Sequence, residues 1–291
     1  MYSNDFAYHA PSSLAEALQL LGQSDGGEVK VLAGGQSLLP LIKLRLAEPA
    51  TLVDMRNIPE LRGISEEGNG VVIGAMTPYF QAIDSPIVQK RCPLIIQALR
   101  QVGDPQVRAR GTIGGSLAHA DPAGDLPAVA LALDAEMRAT GPNGQRSIAA
   151  PDFFVDMLTT ALNPGEVLTA VKFTATDQPM TSTAYAKHRH PASGYAVVGV
   201  AAVIRLGADG ACQEARIAIT GAGTHPTRAQ AVENALVGKQ LDESTVTSAC
   251  AAAPDGLDLM DDSYASSDFR AHLTRVMAKR AILEAAANAR H

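Results

Sequence analysis

The chain has 291 residues, 46% of them hydrophobic and 19% charged, with no low-complexity tract. That length suits one large or two moderate domains, each burying its own core. A net charge of -6 excludes the broad basic face that nucleic-acid phosphates require, so small molecules and proteins are the expected partners, with no nucleic acid. The longest apolar runs, 196–204 and 127–133, fall well short of the roughly 20 residues that span a bilayer, so no membrane span is expected. Residues 1–10 carry Asp5 and no basic cluster before an apolar run, which argues against a secretory signal and for a cytoplasmic location. Cys92, Cys212 and Cys250 are odd in number, far apart and never in a C-x-x-C pair, so neither a disulfide framework nor a metal site is expected. Three cysteines are also too few for an iron–sulfur cluster held by thiolates, which would have to sit on another chain.

In chain order, Ser12-Ser13 followed by Leu14, Ala17, Leu18 and Leu21 predicts a capped amphipathic helix ending near Gly22. Residues 29–32 read as a short buried strand running into Gly34-Gly35, and 38–46 as a helix that tolerates Pro40 only in its first turn. Strands are predicted at 51–54 and 71–73, with a polar hairpin turn at 66–70. Helices are predicted at 93–102 and 126–133, the second with Asp125 as N-cap and Pro127 near the first position. Between them, 103–124 is dense in glycine, proline and charge and reads as a long functional loop or a series of tight turns. Segments 136–140 and 145–148 flank Pro142-Asn143-Gly144, a hairpin signal, and 167–173 is a further strand. Periodicity lapses at 176–182, where a domain boundary is expected. Beyond it, 185–189, 196–206 and 215–220 form a small antiparallel sheet, and 228–236, 244–253 and 267–287 are alanine-rich helices. The class is α+β.

The sharpest feature is Leu32-Ala33-Gly34-Gly35-Gln36-Ser37-Leu38-Leu39, a buried strand ending in two glycines and then two hydrogen-bonding side chains. Without Cβ atoms the glycines can take positive φ and turn successive N–H groups into one concavity, a cradle for a pyrophosphate. A plain tight turn between strand and helix is the alternative. The second such segment, Thr112-Ile113-Gly114-Gly115-Ser116, adds another amide nest, two hydroxyls and the carboxylates Asp121 and Asp125. Two nests with acidic groups suit a large polyhydroxylated diphosphate. No G-x-G-x-x-G opens a helix and no P-loop is present, so dinucleotide folds of the Rossmann and P-loop kinds are poor matches.

These two motifs, with Leu52-Val53-Asp54, Ile58-Pro59-Glu60-Leu61, Val72-Ile73-Gly74-Ala75-Met76-Thr77, Gln106-Val107-Arg108 and the run 196–202, resemble the FAD-binding medium subunit of molybdenum hydroxylases over nearly the full length. That family includes the medium chain of carbon monoxide dehydrogenase and the flavin domain of xanthine dehydrogenase. The resemblance implies a two-lobed FAD-binding domain of p-cresol methylhydroxylase type at 1–177, its lobes split near 56. A small C-terminal domain with a three-stranded antiparallel sheet and helices would follow at 178–291. It implies that Leu32 to Leu39 and Thr112, Gly114, Gly115 and Ser116 hold the FAD pyrophosphate. Asp125, with Asp121 as second candidate, would reach the sugar-like part, and Lys187 and Tyr195 would lie near the isoalloxazine ring.

Each of these residues has an ordinary alternative: Asp125 as a helix N-cap, Lys187 as a solvated strand lysine, Tyr195 as a core aromatic. His119 more readily satisfies a loop carbonyl than acts as an acid or base, and no catalytic side chain is identified. Residues 188–190 read as a solvated turn, and the roles of Arg108 and Arg110 stay open between phosphate and partner. The implied function is electron transfer. FAD on this chain would take electrons from 2Fe-2S clusters on a small subunit, fed by a molybdopterin site on a large subunit, and pass them to an external acceptor. The expected assembly is a dimer of heterotrimers. A stand-alone flavin oxidase or dehydrogenase with its own substrate pocket, and a non-catalytic nucleotide-binding scaffold, are the alternatives.

Overall fold

The computed structural model describes residues 3–23 and 27–290. Met1 and Tyr2 of the N-terminal reading, and the outermost residues of both expected domains, lie outside that range. The first lobe comprises β1 (Ala7–His9), α1 (Leu14–Gly22), β2 (Val29–Leu32), α2 (Leu38–Lys43) and β3 (Thr51–Asp54), with the strands parallel in the order β1-β3-β2. The helix start is the expected one. Ser13 Oγ accepts from the Glu16 N–H at 3.3 Å and Glu16 Oε2 accepts from the Ser12 N–H at 2.9 Å, a reciprocal cap. Strand β1 was not foreseen, because its three residues are all exposed and lack alternation. Tertiary pairing with 51–53 and a 2.8 Å hydrogen bond from the Tyr8 hydroxyl to buried Asp54 hold it in place.

The second lobe begins with the expected hairpin, β4 (Ile64–Glu67) and β5 (Gly70–Gly74). Six helices follow: α3 (Tyr79–Asp84), α4 (Pro86–Arg91), α5 (Pro93–Leu99), α6 (Pro105–Arg110), α7 (Ile113–His119) and α8 (Asp125–Ala132). The hairpin β6 (Glu136–Gly141) and β7 (Gly144–Ala149), α9 (Ala150–Phe153), the short pair β8 (Phe154–Asp156) and β9 (Thr159–Thr160), and β10 (Val167–Thr174) complete it. The sheet is antiparallel in the order β4-β5-β10-β6-β7. Helices α5, α7 and α8 bury their apolar residues in one large core with it.

Segment 103–124 therefore contains two helices where a loop or turns were expected. Asp104 caps α6 by accepting from the Val107 N–H at 2.8 Å, with Pro105 in the first turn. Thr112 caps α7 by accepting from the Gly115 N–H at 3.1 Å. Two caps and a proline at a helix start outweigh the unfavourable glycines. Asp125 is not an N-cap: Gly124 holds that position, no side chain caps α8, and Asp125 is its buried first residue.

The C-terminal part has three long antiparallel strands, β11 (Thr181–Arg189), β12 (Ala196–Leu206) and β13 (Cys212–Thr220), with a two-residue fourth strand, β14 (Thr227–Arg228), at the edge. Helices α10 (Gln230–Leu236), α11 (Glu243–Cys250) and α12 (Ser267–Ala289) follow. Both faces of the sheet are covered. Tyr185, Ala201, Val203 and Ala218 join the core of the second lobe, while Val200, Ala202, Ile204, Ile217 and Ile219 pack with Met277, Ala278, Ala281 and Ile282 of α12. Double burial explains why β12 is an almost unbroken apolar run. Strand β11 starts earlier than its polar sequence suggested because Gln97 of α5 bonds Thr183 through both its amide nitrogen and its amide oxygen, at 3.0 and 3.2 Å. Residues 188–190 are only in part a turn: His188 and Arg189 end β11 and His190 opens the turn after it, with the His188 ring edge-on to Phe269 and the His190 ring against Tyr264.

Candidate functional site

The first twin-glycine segment leaves the end of β2 and turns into α2. Gly35 takes φ +76°, as a left-handed turn demands, while Gly34 is required for close approach: a Cβ there would sit 2.3 Å from the Arg110 carbonyl oxygen of the second lobe. Ser37 precedes α2 without capping it. The N–H groups of Gly34, Gly35, Gln36, Ser37 and Leu38 donate to no acceptor among the described residues. Five consecutive amides without partners form a cradle for an anion, since partly buried N–H groups left unpaired are costly.

The second segment behaves differently. Ile113 N–H donates to Thr77 O at 3.1 Å, Gly114 N–H to Ala75 O at 2.8 Å, Gly115 N–H to Thr112 Oγ1 at 3.1 Å and Ser116 N–H to Thr112 O at 3.1 Å. The expected second amide nest is thus a helix start whose amides are already used. Its glycines serve packing: a Cβ on Gly114 would lie 2.3 Å from the Ala75 Cβ, and one on Gly115 would lie 3.1 Å from the Ala33 Cβ of the first segment. The two segments touch across the lobes, and what the second offers a ligand is side chain, chiefly the Ser116 hydroxyl.

Beside them stands a wall from three directions. The Asp125 carboxylate is 5% exposed; its Oδ1 accepts from the Tyr185 hydroxyl at 2.5 Å and its Oδ2 from the Lys187 ammonium at 2.8 Å. Burial pushes the Asp125 carboxyl upward, opposed by the Lys187 charge and by the hydrogen bonds from Lys187 and Tyr185. Lys187 is not solvated: its side chain is fully buried and also donates to Gln101 O at 3.2 Å. Tyr79 lies close to Ser116, and burial pushes its phenol up to about 12. Tyr195, which is 42% exposed, borders Ser37 and Asp121. Asp121 accepts from the Ala123 N–H at 2.8 Å and keeps its other oxygen 3.9 Å from the His119 ring. The C-terminal sheet fixes this loop, because Thr220 Oγ1 donates toward Pro122 O and Gly124 O while Ala196 N–H donates to Ala123 O.

The structure therefore brings Ala33 to Ser37, Thr112, Gly115, Ser116, Asp121, Asp125, Lys187 and Tyr195 to one region, with Asp125 and Lys187 bonded to each other. Tyr185 and Tyr79 were missed. Tyr185 carried a signal, since it lies two residues before Lys187 on a strand and so on the same face; Tyr79 carried none. Arg108 donates from Nη1 to the carbonyls of Val102 and Gly103, at 2.9 and 3.1 Å, and so ties the turn before α6. Arg110 lines a cavity of about 170 Å³ behind the first segment with Arg56 and Arg62.

A diphosphate suits the first segment on the evidence of its five amides, which find no acceptor among the described residues. Comparison with known proteins agrees. Residues 4–174 match the family described as FAD binding domain in molybdopterin dehydrogenase, and 183–285 match the CO dehydrogenase flavoprotein C-terminal domain. The chain belongs to this FAD-binding family of molybdopterin dehydrogenases and is an oxidoreductase flavoprotein of the medium-subunit type.

Its relatives include the carbon monoxide dehydrogenase medium chain of Hydrogenophaga pseudoflava, 42% identical over 95% of this chain and 96% of the relative. The alpha subunit of the 6-hydroxypseudooxynicotine dehydrogenase complex of Paenarthrobacter nicotinovorans is 35% identical over 98% and 96%. Among solved structures, carbon monoxide dehydrogenase from Hydrogenophaga pseudoflava superposes with a TM-score of 0.94 at 43% identity, covering 99% of both chains. Quinoline 2-oxidoreductase from Pseudomonas putida 86 superposes with a TM-score of 0.93 at 37% identity over 100% of both. Among the described residues, no helix is long and apolar enough to cross a membrane.

Proposed function

We propose that this chain is the electron-transfer subunit of a cytoplasmic molybdenum hydroxylase, working with a large molybdopterin-bearing subunit and a small 2Fe-2S subunit in a dimer of heterotrimers. Residues 1–177 form the cofactor domain, with its lobes meeting near 56, and 178–291 the C-terminal domain. FAD bound there supplies the chemistry of collecting single electrons and delivering them in pairs to an external acceptor. The observation that carries the reading is the row of unpaired amides from Gly34 to Leu38. These groups hold the diphosphate, with Leu32, Ala33 and Leu39 shaping the turn and Ser37, Thr112, Gly114, Gly115 and Ser116 lining or packing its far side. Asp121 is free to accept from a polyol hydroxyl, the exposed Tyr195 ring offers a surface for an aromatic ring system, and the Asp125–Lys187 pair backs the pocket. The named relatives support the partner assignment, since they are medium chains or subunits of multi-chain dehydrogenases. Against a stand-alone oxidase, the C-terminal sheet has both faces packed, one against the second lobe and one against α12.

Reconstitution of the purified chain with FAD tests the first part: flavin absorbance should persist after desalting, and a colourless eluate would sink it. Affinity purification of the tagged chain from its native cell tests the second. Co-purifying large and small chains carrying molybdenum and iron are expected, and recovery of this chain alone with full dehydrogenase turnover would overturn it.

A further inference from the structure

The Tyr185 hydroxyl makes one hydrogen bond among the described residues, to Asp125. Tyr185 is 5% exposed and faces the second lobe, where its hydroxyl donates to Asp125 Oδ1 at 2.5 Å across 60 residues of sequence. The neighbouring strand makes room for it. Gly199 is the only glycine in β12 and lies opposite Lys187 in the β11–β12 register. A Cβ at Gly199 would sit 2.4 Å from the Tyr185 hydroxyl oxygen and 2.9 Å from Thr220 Cγ2. A glycine inside a strand weakens it and often marks close approach of another group. Gly199 has no positive φ, so backbone conformation does not require it; space for the phenol and for Thr220 does.

The carboxylate that receives this hydrogen bond is almost wholly removed from water, and a buried charge is tolerated only when each oxygen finds a donor. Tyr185 serves one oxygen and Lys187 the other. Arg189 of the same strand adds favourable charge, while Tyr79 of α3 and Tyr195 beyond β11 face the carboxylate from the pocket side.

We propose that Tyr185 is a positioning residue of the flavin site. By holding one oxygen of Asp125 it keeps that carboxylate turned toward Lys187, and the fixed ion pair forms the rigid wall behind Ser116, Tyr79 and Tyr195. The inference rests on the reading of this region as an FAD pocket. Without the phenol hydroxyl one oxygen of Asp125 loses its donor, so the carboxylate can rotate or take up a proton and release Lys187.

The test measures FAD dissociation by flavin fluorescence for the full-length chain and for Tyr185→Phe, which keeps the ring. Tyr185→Phe should bind FAD about tenfold more weakly at pH near 8, the size of one hydrogen bond to a charged group. It should weaken further as the pH falls to about 6, because an undersupported buried carboxylate takes up a proton more readily, while the unaltered chain changes little. Lost packing alone gives no such pH profile. In an Asp125→Asn background the Tyr185→Phe change should add almost nothing, since the two groups act as a pair. Gly199→Ala, which displaces the phenol while retaining it, should reproduce the pH-dependent loss and covers the case in which Tyr185→Phe folds poorly. Wild-type affinity in both Tyr185→Phe and Gly199→Ala overturns the proposal, as does an equal Tyr185→Phe effect with and without Asp125. If the unaltered chain binds no FAD, the flavin reading itself falls and takes the proposal with it, whereas insensitivity of the variants alone refutes only the role of Tyr185.

Discussion

In residues 34–38 five consecutive amides find no acceptor among the described residues, whereas in 113–116 every amide donates within the protein, although both stretches carry a twin glycine followed by serine within two residues. The difference lies in what surrounds each turn. The second segment is pinned by the carbonyls of Ala75 and Thr77 and by its own Thr112 cap, so it becomes a helix start; the first follows a sheet strand and meets no acceptor among the described residues. Twin glycines thus stand in two different settings in one protein: the first pair opens a row of amides without acceptors, and the second lets a helix dock closely.

Substitutions at the glycines break this contrast most directly. Gly114→Ala should lower the unfolding free energy by about 3 kcal/mol by urea denaturation, with or without FAD, because a Cβ driven into Ala75 exceeds the roughly 1 kcal/mol of helix propensity gained. An unchanged midpoint would refute the docking role. Gly34→Ala should cost on the order of 2 kcal/mol through the clash with the Arg110 carbonyl, but its larger consequence is loss of retained flavin on desalting. Retention of flavin by Gly34→Ala would show that the cradle lies elsewhere. Thr112→Ala should cost about 1 kcal/mol for the lost cap, with Thr112→Ser close to wild type.

The smallest effect concerns a region remote from the cradle. On the second-lobe sheet, Arg138 of β6 and Lys172 of β10 hold the Glu67 carboxyl at the end of β4 down to about 2 from its ordinary 4.5. The folded-state value lies below the unfolded one, so its stabilisation is complete above about 4.5 and is lost as pH falls toward 2. Glu67→Gln should therefore flatten the acid limb of thermal stability between about pH 5 and pH 3 and leave flavin binding untouched.

Local signals made much of the fold legible. The cap at Ser13, the turns at 68–69 and 142–144, and the alanine-rich α12 are all set by residues within a few positions of each other, where propensity and capping decide. Segment 103–124 was misjudged because glycine density masked two caps that were present, Asp104 and Thr112. Strand β1 was invisible, since its stability comes from β3 and Asp54 rather than from any pattern of its own. The solvated alternative for Lys187 fails for a tertiary reason: a lysine on a strand normally reaches water, but this strand belongs to a sheet covered on both faces.

The sequence by itself determined the order of elements, the two glycine turns, the acidic candidates and the family resemblance, all encoded in short runs of residues. Only the tertiary structure decided which glycine turn keeps its amides free, and that Asp125 is an ion-pair partner and not a helix cap. The reason is distance along the chain. The acceptors for 113 and 114 come from Thr77 and Ala75, and the donors for Asp125 come from Tyr185 and Lys187, about sixty residues away. No local pattern records such pairings, which exist because packed layers bring distant polar groups together where water cannot serve them.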